Sequence, residues 1–168
     1  MLAQKLNPVQ YAETVQEWAA GTALGALGTR FLIAGEGEAR AELSFRKEHA
    51  PLTGRFHIGV IMTFAEETAS SAGMWEFNPT RISRPELIPL TFQVDFHQIA
   101  NTNRGKLVAD ARIVHRGRTI LVVDTHVRDD TGKLIATMTT TQMVPRGADS
   151  NPPERGEAAN QTERQCAS

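Results

Sequence analysis

The sequence predicts an α+β protein in which a curved antiparallel sheet wraps one long central helix. Three observations carry this prediction. Residues 57–75, HIGVIMTFAEETASSAGMW, are apolar over most of a helical circumference through Val60, Ile61, Met62, Phe64, Ala65, Ala69, Ala72 and Met74, the mark of a helix inside a fold. Four β-rich segments follow, at 88–99, 105–116, 118–128 and 133–144. Short turns join the last three, His115-Arg116-Gly117-Arg118 and Asp129-Asp130-Thr131-Gly132, which favours antiparallel hairpins. One helix cannot cover both faces of a sheet of five or six strands. The sheet therefore curves around the helix on one face, and a second subunit completes the burial.

The remaining elements are assigned from local chemistry. Residues 8–27 begin with helical periodicity, and Pro8 suits a first turn, while Gly21, Gly25 and Gly28 loosen the second half. Residues 29–33 and 39–45 read as strands joined by the turn-prone Gly35-Glu36-Gly37. A loop with Pro51 and Gly54 leads into the apolar helix, expected to end near Phe77-Asn78-Pro79; a polar, proline-punctuated stretch fills 79–87. From Pro145 the chain is polar, with too little apolar surface to offset its ordering entropy. The expected organisation is a helical segment over 1–28, a domain over 29–145 and a disordered, removable tail over 146–168.

Composition narrows the function classes. The 168 residues suit one domain with a substantial core. Eighteen Lys and Arg stand against nineteen Asp and Glu, so no basic excess points to nucleic acid or an anionic membrane. Cys166 is the single cysteine, which excludes an intramolecular disulfide, and no Cys/His spacing resembles a zinc site. No stretch approaches 18 uninterrupted apolar residues, and the N-terminus lacks a secretory pattern. A reducing, cytoplasmic setting is expected.

The chemistry is expected where polarity interrupts the apolar helix. Glu66 and Glu67 are adjacent, so they point about 100° apart and cannot share one environment. Burying a carboxylate costs several kcal/mol unless it is compensated. One glutamate therefore faces a pocket, and Glu67 is expected to be the solvated or ion-paired neighbour. An ion pair of Glu66 with an arginine across a subunit interface is the structural alternative. His97, His115 and His126 fall in strands without ligand spacing, and the threonines at 137–141 express β-propensity.

The order of elements and the run His57-Ile58-Gly59-Val60-Ile61-Met62-Thr63-Phe64-Ala65-Glu66 resemble the hot-dog fold acyl-CoA thioesterases of the phenylacetate-degradation (PaaI) type. Their motif is H-G-G followed by six residues and a carboxylate at the start of the central helix. Val94-Asp95-Phe96-His97 and the run GKLVADARIVHRGRTILVVDTHVRDDTGKLIATMTTT are similar to the strands of that family, and the likeness spans about residues 25–145. It implies Glu66 as the catalytic carboxylate, His57 as a positioning residue and the Ile58 amide as the donor that polarises the thioester carbonyl. Ser70, one turn after Glu66, corresponds to a hydroxyl that holds substrate or water in some relatives. The amides of Ile58 and Gly59, at a helix N-terminus, are candidate oxyanion donors.

Three residues depart from the pattern: Ile58 replaces a glycine, Pro51 stands where a polar residue is common, and Pro89 falls near a serine or threonine position. The implied substrate is an aromatic or medium-chain acyl-CoA, with no cofactor beyond the coenzyme A it carries. Arg104, Lys106, Arg116, Arg118 and Lys133, at turns and rims, are candidates for its phosphates. The implied assembly is a homodimer or a dimer of dimers. A non-catalytic acyl-CoA-binding module is the alternative function, favoured by Ile58. A hydratase would need a D-x-x-x-x-H pair, and the only such spacing, Asp110 to His115, lies in a β-segment.

Overall fold

The computed structural model describes residues 5–77, 88–97 and 104–143. The chain runs α1 (Pro8–Ala19), α2 (Ala23–Leu27), β1 (Arg30–Gly35), β2 (Glu38–Ser44), a 3-10 turn (Lys47–His49), α3 (Ile58–Phe77), β3 (Ile88–Phe96), β4 (Lys106–Arg116), β5 (Ile120–Asp129) and β6 (Leu134–Met143). The expected tail and the linker around Pro79 lie outside the described residues.

All six strands form one antiparallel sheet in the order β1-β2-β4-β5-β6-β3. The three hairpins read from sequence are present. Between β1 and β2, Glu36 and Gly37 take φ of 57° and 84°, the two positive values a tight two-residue turn needs.

Strand alternation sends one row of side chains inward from each strand. Ala39, Ala41 and Leu43 meet Leu107, Ala109 and Ala111, then Leu121, Val123 and Val127, then Ala136 and Met138. Many of these residues are small. So are Ala65, Ala69 and Ala72 on α3, all buried, which lets helix and sheet approach closely. Ile61 and Phe64 fill the space that remains. At the far end of α3, Gly35 lies against the Trp75 indole, where a Cβ would come within 3.0 Å of the ring.

The N-terminal segment belongs to the same core. Asn7 and Gln10 close a reciprocal capping box at the start of α1, with Pro8 in its first turn. Tyr11, Ala12, Val15 and Ala19 are buried in the main cluster. Gln16 splices α1 onto the outer edge of β1: its amide donates to Thr29 O at 3.1 Å, and its Oε1 accepts from Phe31 N at 3.0 Å. The glycine-rich second half breaks at Gly21 and resumes as the short α2, which ends on Gly28 in the left-handed region.

Candidate active site

The entry to α3 is fixed from two sides. His49, buried and stacked on Phe56, accepts from the His57 backbone amide at 2.8 Å through its carbonyl. The His57 ring then turns back over the helix start, where Nδ1 accepts from Gly59 N at 2.9 Å. His57 is therefore a side-chain cap, in keeping with its expected positioning role. Gly59 has its own reason to be small, because a Cβ there would lie 3.1 Å from His57 Nδ1. This corrects one expectation: the Gly59 amide is engaged by His57 and is not a free oxyanion donor. Among the described residues the Ile58 amide has no hydrogen-bond partner. The Ile58 side chain is exposed.

Ile58, Met62, Glu66 and Ser70 recur every fourth residue and form one stripe along α3. Ile58 and Met62 expose apolar side chains at the start of the stripe. Further along, Ser70 Oγ donates to Glu66 Oε1 at 2.6 Å. Gln142 Nε2 donates to Ser70 Oγ at 3.0 Å from strand β6. Glu66 is half-buried, and burial raises its carboxyl above the usual glutamate range while the Ser70 hydrogen bond pulls it back. Among the described residues its second oxygen has no partner and no cation pairs with it.

Glu67 overturns the expectation of a solvated neighbour. It is 2% exposed, and its Oε2 accepts from the Thr29 hydroxyl at 2.7 Å. Its Oε1 is buried without a partner. Burial, the largest cause, pushes its carboxyl up to about 7; Thr29 opposes the shift and Glu66 adds to it. The reason is the N-terminal segment, which delivers Thr29 onto that flank of α3.

The candidate phosphate-binding cations do not gather. Arg116 and Arg118 flank the β4–β5 turn, whereas Arg104, Lys106 and Lys133 lie at the other end of the same strands, about 30 Å away. Arg116 pairs with Glu76 at 2.7 Å, and Lys106 pairs with Glu42. Arg104, Arg118 and Lys133 have no side-chain partner among the described residues. Pro51 is in the loop before α3, and Pro89 stands opposite Gln142. Asp110 is bound to Arg40 at 2.9 Å, between the buried Ala109 and Ala111 and so on the outer sheet face, away from α3. No three His, Cys, Asp or Glu side chains converge on a metal site among the described residues.

The residue that sequence reasoning missed is Gln142. A signal was present: Ala136, Met138, Thr140 and Gln142 share the inward phase of β6, and a glutamine ending such a row demands a polar partner.

The model of the thioesterase superfamily matches residues 53–136, half of the chain and the segment that holds His57, Ile58, Glu66 and Ser70. The chain belongs to the thioesterase superfamily. It is accordingly an enzyme of the thioester-hydrolase class. A proposed esterase from Deinococcus radiodurans is 25% identical over 113 residues, 67% of each chain. A thioesterase from Haemophilus influenzae superposes with a TM-score of 0.70 and 23% identity, covering 86% of this chain and 94% of that one. The Escherichia coli PaaI protein, from the phenylacetic acid degradation operon, superposes with a TM-score of 0.71 and 16% identity, covering 84% and 98%. At such identities the likeness speaks for the fold, and the fold is the hot-dog architecture that the sequence resembled. Within this superfamily chain, no described helix is long and apolar enough to cross a membrane.

Proposed function

We propose that this thioesterase hydrolyses acyl-CoA, with Glu66 as its working carboxylate and the Ile58 amide as the donor to the thioester carbonyl. The observation that carries the reading is the state of Glu66: half-buried, gripped through one oxygen by Ser70, and without a partner at the other among the described residues. A carboxylate held this way is a stronger base than an exposed one and has an oxygen available for reaction.

Chemistry needs the carboxylate and the carbonyl donor within a few ångströms of the same carbon. Ile58 and Glu66 are eight residues apart on one helix, about 12 Å along its axis. One protomer cannot bring both to one thioester. The reading therefore includes at least a homodimer, in which Glu66 of one copy works with the Ile58 amide of a second. The half-exposed Phe92 on edge strand β3 supports this assembly, since it lies on the helix side of the sheet beside Thr140 and is not fully covered by the described residues. A dimer of two such dimers is compatible with the same contact.

In the hydrolytic step Glu66 takes a proton from water as the hydroxyl adds to the carbonyl carbon. Negative charge develops on the carbonyl oxygen, facing the amide at the positive end of α3. Collapse breaks the carbon–sulfur bond, and the CoA thiolate receives the proton from Glu66. Direct attack by Glu66 would give a mixed anhydride that water then opens, with the same net balance. The exposed Ile58 and Met62, on the stripe that leads to Glu66, suit an apolar acyl group of the aromatic or medium-chain class. The chain calls on no cofactor beyond the coenzyme A of the substrate, whose phosphates would meet the exposed cations at the sheet ends.

The test is thiol release from short, medium, long and aromatic acyl-CoAs, run beside Glu66→Gln. Loss of turnover in a variant that keeps its fold and assembly supports the reading. Retained turnover moves the site elsewhere. Acyl-CoA binding without turnover in the unmutated protein would restore the binding-module alternative.

A further inference from the structure

Gln142 is fully buried on β6, and its side chain touches α3 at a single polar point, the Ser70 hydroxyl. A hydroxyl has one proton to give. The amide nitrogen of Gln142 can only donate, so Ser70 Oγ accepts from it at 3.0 Å and must send its own proton to Glu66 Oε1 at 2.6 Å. The three side chains form a one-way chain of donors that ends on a carboxylate.

We propose that Gln142 is a positioning residue that sets the direction of the Ser70 hydroxyl and so holds Glu66 as the carboxylate, with its other oxygen free to react. The inference rests on the reading of Glu66 as the working group and adds a residue outside the helix motif. The surroundings leave this duty to few groups. From α3, Glu66 meets Ser70 and stands beside Glu67, a second buried carboxyl; from β6 it meets Gln142 through Ser70. No cation among the described residues pairs with it. Donors relayed through Ser70 thus oppose the effect of burial.

The chain also has a reversed form. When the proton on Glu66 sits on Oε1, that O–H donates to Ser70, whose proton then needs an acceptor. Gln142 Oε1, buried and unpartnered, can supply one if the amide turns over. The Gln142 amide should therefore report the ionisation of Glu66.

The experiment has two arms. In the first, the pH dependence of kcat/KM is compared for the unmutated protein, Gln142→Met and Ser70→Ala. Gln142→Met keeps volume and removes the donor. It is expected to move the acid limb to higher pH and to lower kcat about tenfold at neutral pH, with KM little changed. The same substitution made on top of Ser70→Ala is expected to add nothing, because Gln142 acts through that hydroxyl. An unmoved acid limb, or losses that simply add, would overturn the proposal. In the second arm, which stands even if Gln142→Met fails to fold, the side-chain amide resonances of Gln142 are followed by NMR against pH in the otherwise native protein and in Glu66→Gln. A titration present in the first and absent in the second is expected; a flat Gln142 signal in the native protein refutes the relay. Failure of the parent reading looks different: Glu66→Gln would remain active whatever Gln142 reports.

Discussion

The Thr29 hydroxyl donates to the Glu67 carboxyl at 2.7 Å, tying the start of β1 to the middle of the central helix. The other carboxyl oxygen is buried and unpaired, so the folded protein favours the protonated form, and the group titrates at about 7 instead of the ordinary 4.5. With the folded value raised, the stability this carboxyl allows is fully present below pH 4.5 and is lost as pH rises through 7. The loss amounts to about 3 kcal/mol across that window. Glu67→Gln should melt higher than the parent at pH 8.5 and show a flatter pH dependence of unfolding. Equal melting temperatures at pH 8.5 would contradict the buried carboxyl.

Ile58 offers a test of the carbonyl donor that leaves the helix intact. It is the first residue of α3, a position where proline is well tolerated because the N–H has no helical partner. Ile58→Pro removes that N–H and is expected to lower kcat about 100-fold or more with little change in melting temperature. Ile58→Ala keeps the N–H and should retain most of kcat. If the two variants behave alike, the amide is not the donor.

The two ends of the sheet make different offers to coenzyme A. Gln142 pairs with Leu121, close to the β4–β5 turn, so the Glu66–Ser70–Gln142 chain lies nearer Arg118 than Lys133. Arg118→Glu is expected to raise KM for acyl-CoA about fivefold, with kcat unchanged and the effect shrinking in high salt. Lys133→Glu should leave KM near its starting value. The opposite ranking would place the phosphates at the β5–β6 end.

Phe92 reports on assembly. It is 49% exposed on an edge strand, opposite the buried Thr140. Phe92→Asp should shift the protein toward monomer in light scattering, and activity should fall with the dimer fraction because Ile58 and Glu66 act from separate copies. An unmutated protein that is monomeric at micromolar concentration and still active would contradict both statements.

Much of this architecture was legible in the linear chain because it is local. Helical periodicity over 57–75, alternation in the strands and the turn chemistry of Gly35-Glu36-Gly37 each involve neighbours within a few residues, and all appear as expected. The placement of Glu66 and Ser70 one turn apart was legible for the same reason. Partners were not. Side-chain phase tells which face a residue occupies and says nothing of what the fold brings against it. Glu67 reads as a surface glutamate until Thr29, 38 residues away, is packed on its flank. Gln142 reads as the end of a threonine-rich strand until register and helix docking bring it to Ser70, 72 residues away. The Gly59 amide reads as a free donor until the His57 ring folds back onto it. Local sequence settled the elements and the stripe that carries Glu66. Long-range packing settled which polar groups are desolvated and which donors meet them, and those contacts set the ionisation of both glutamates.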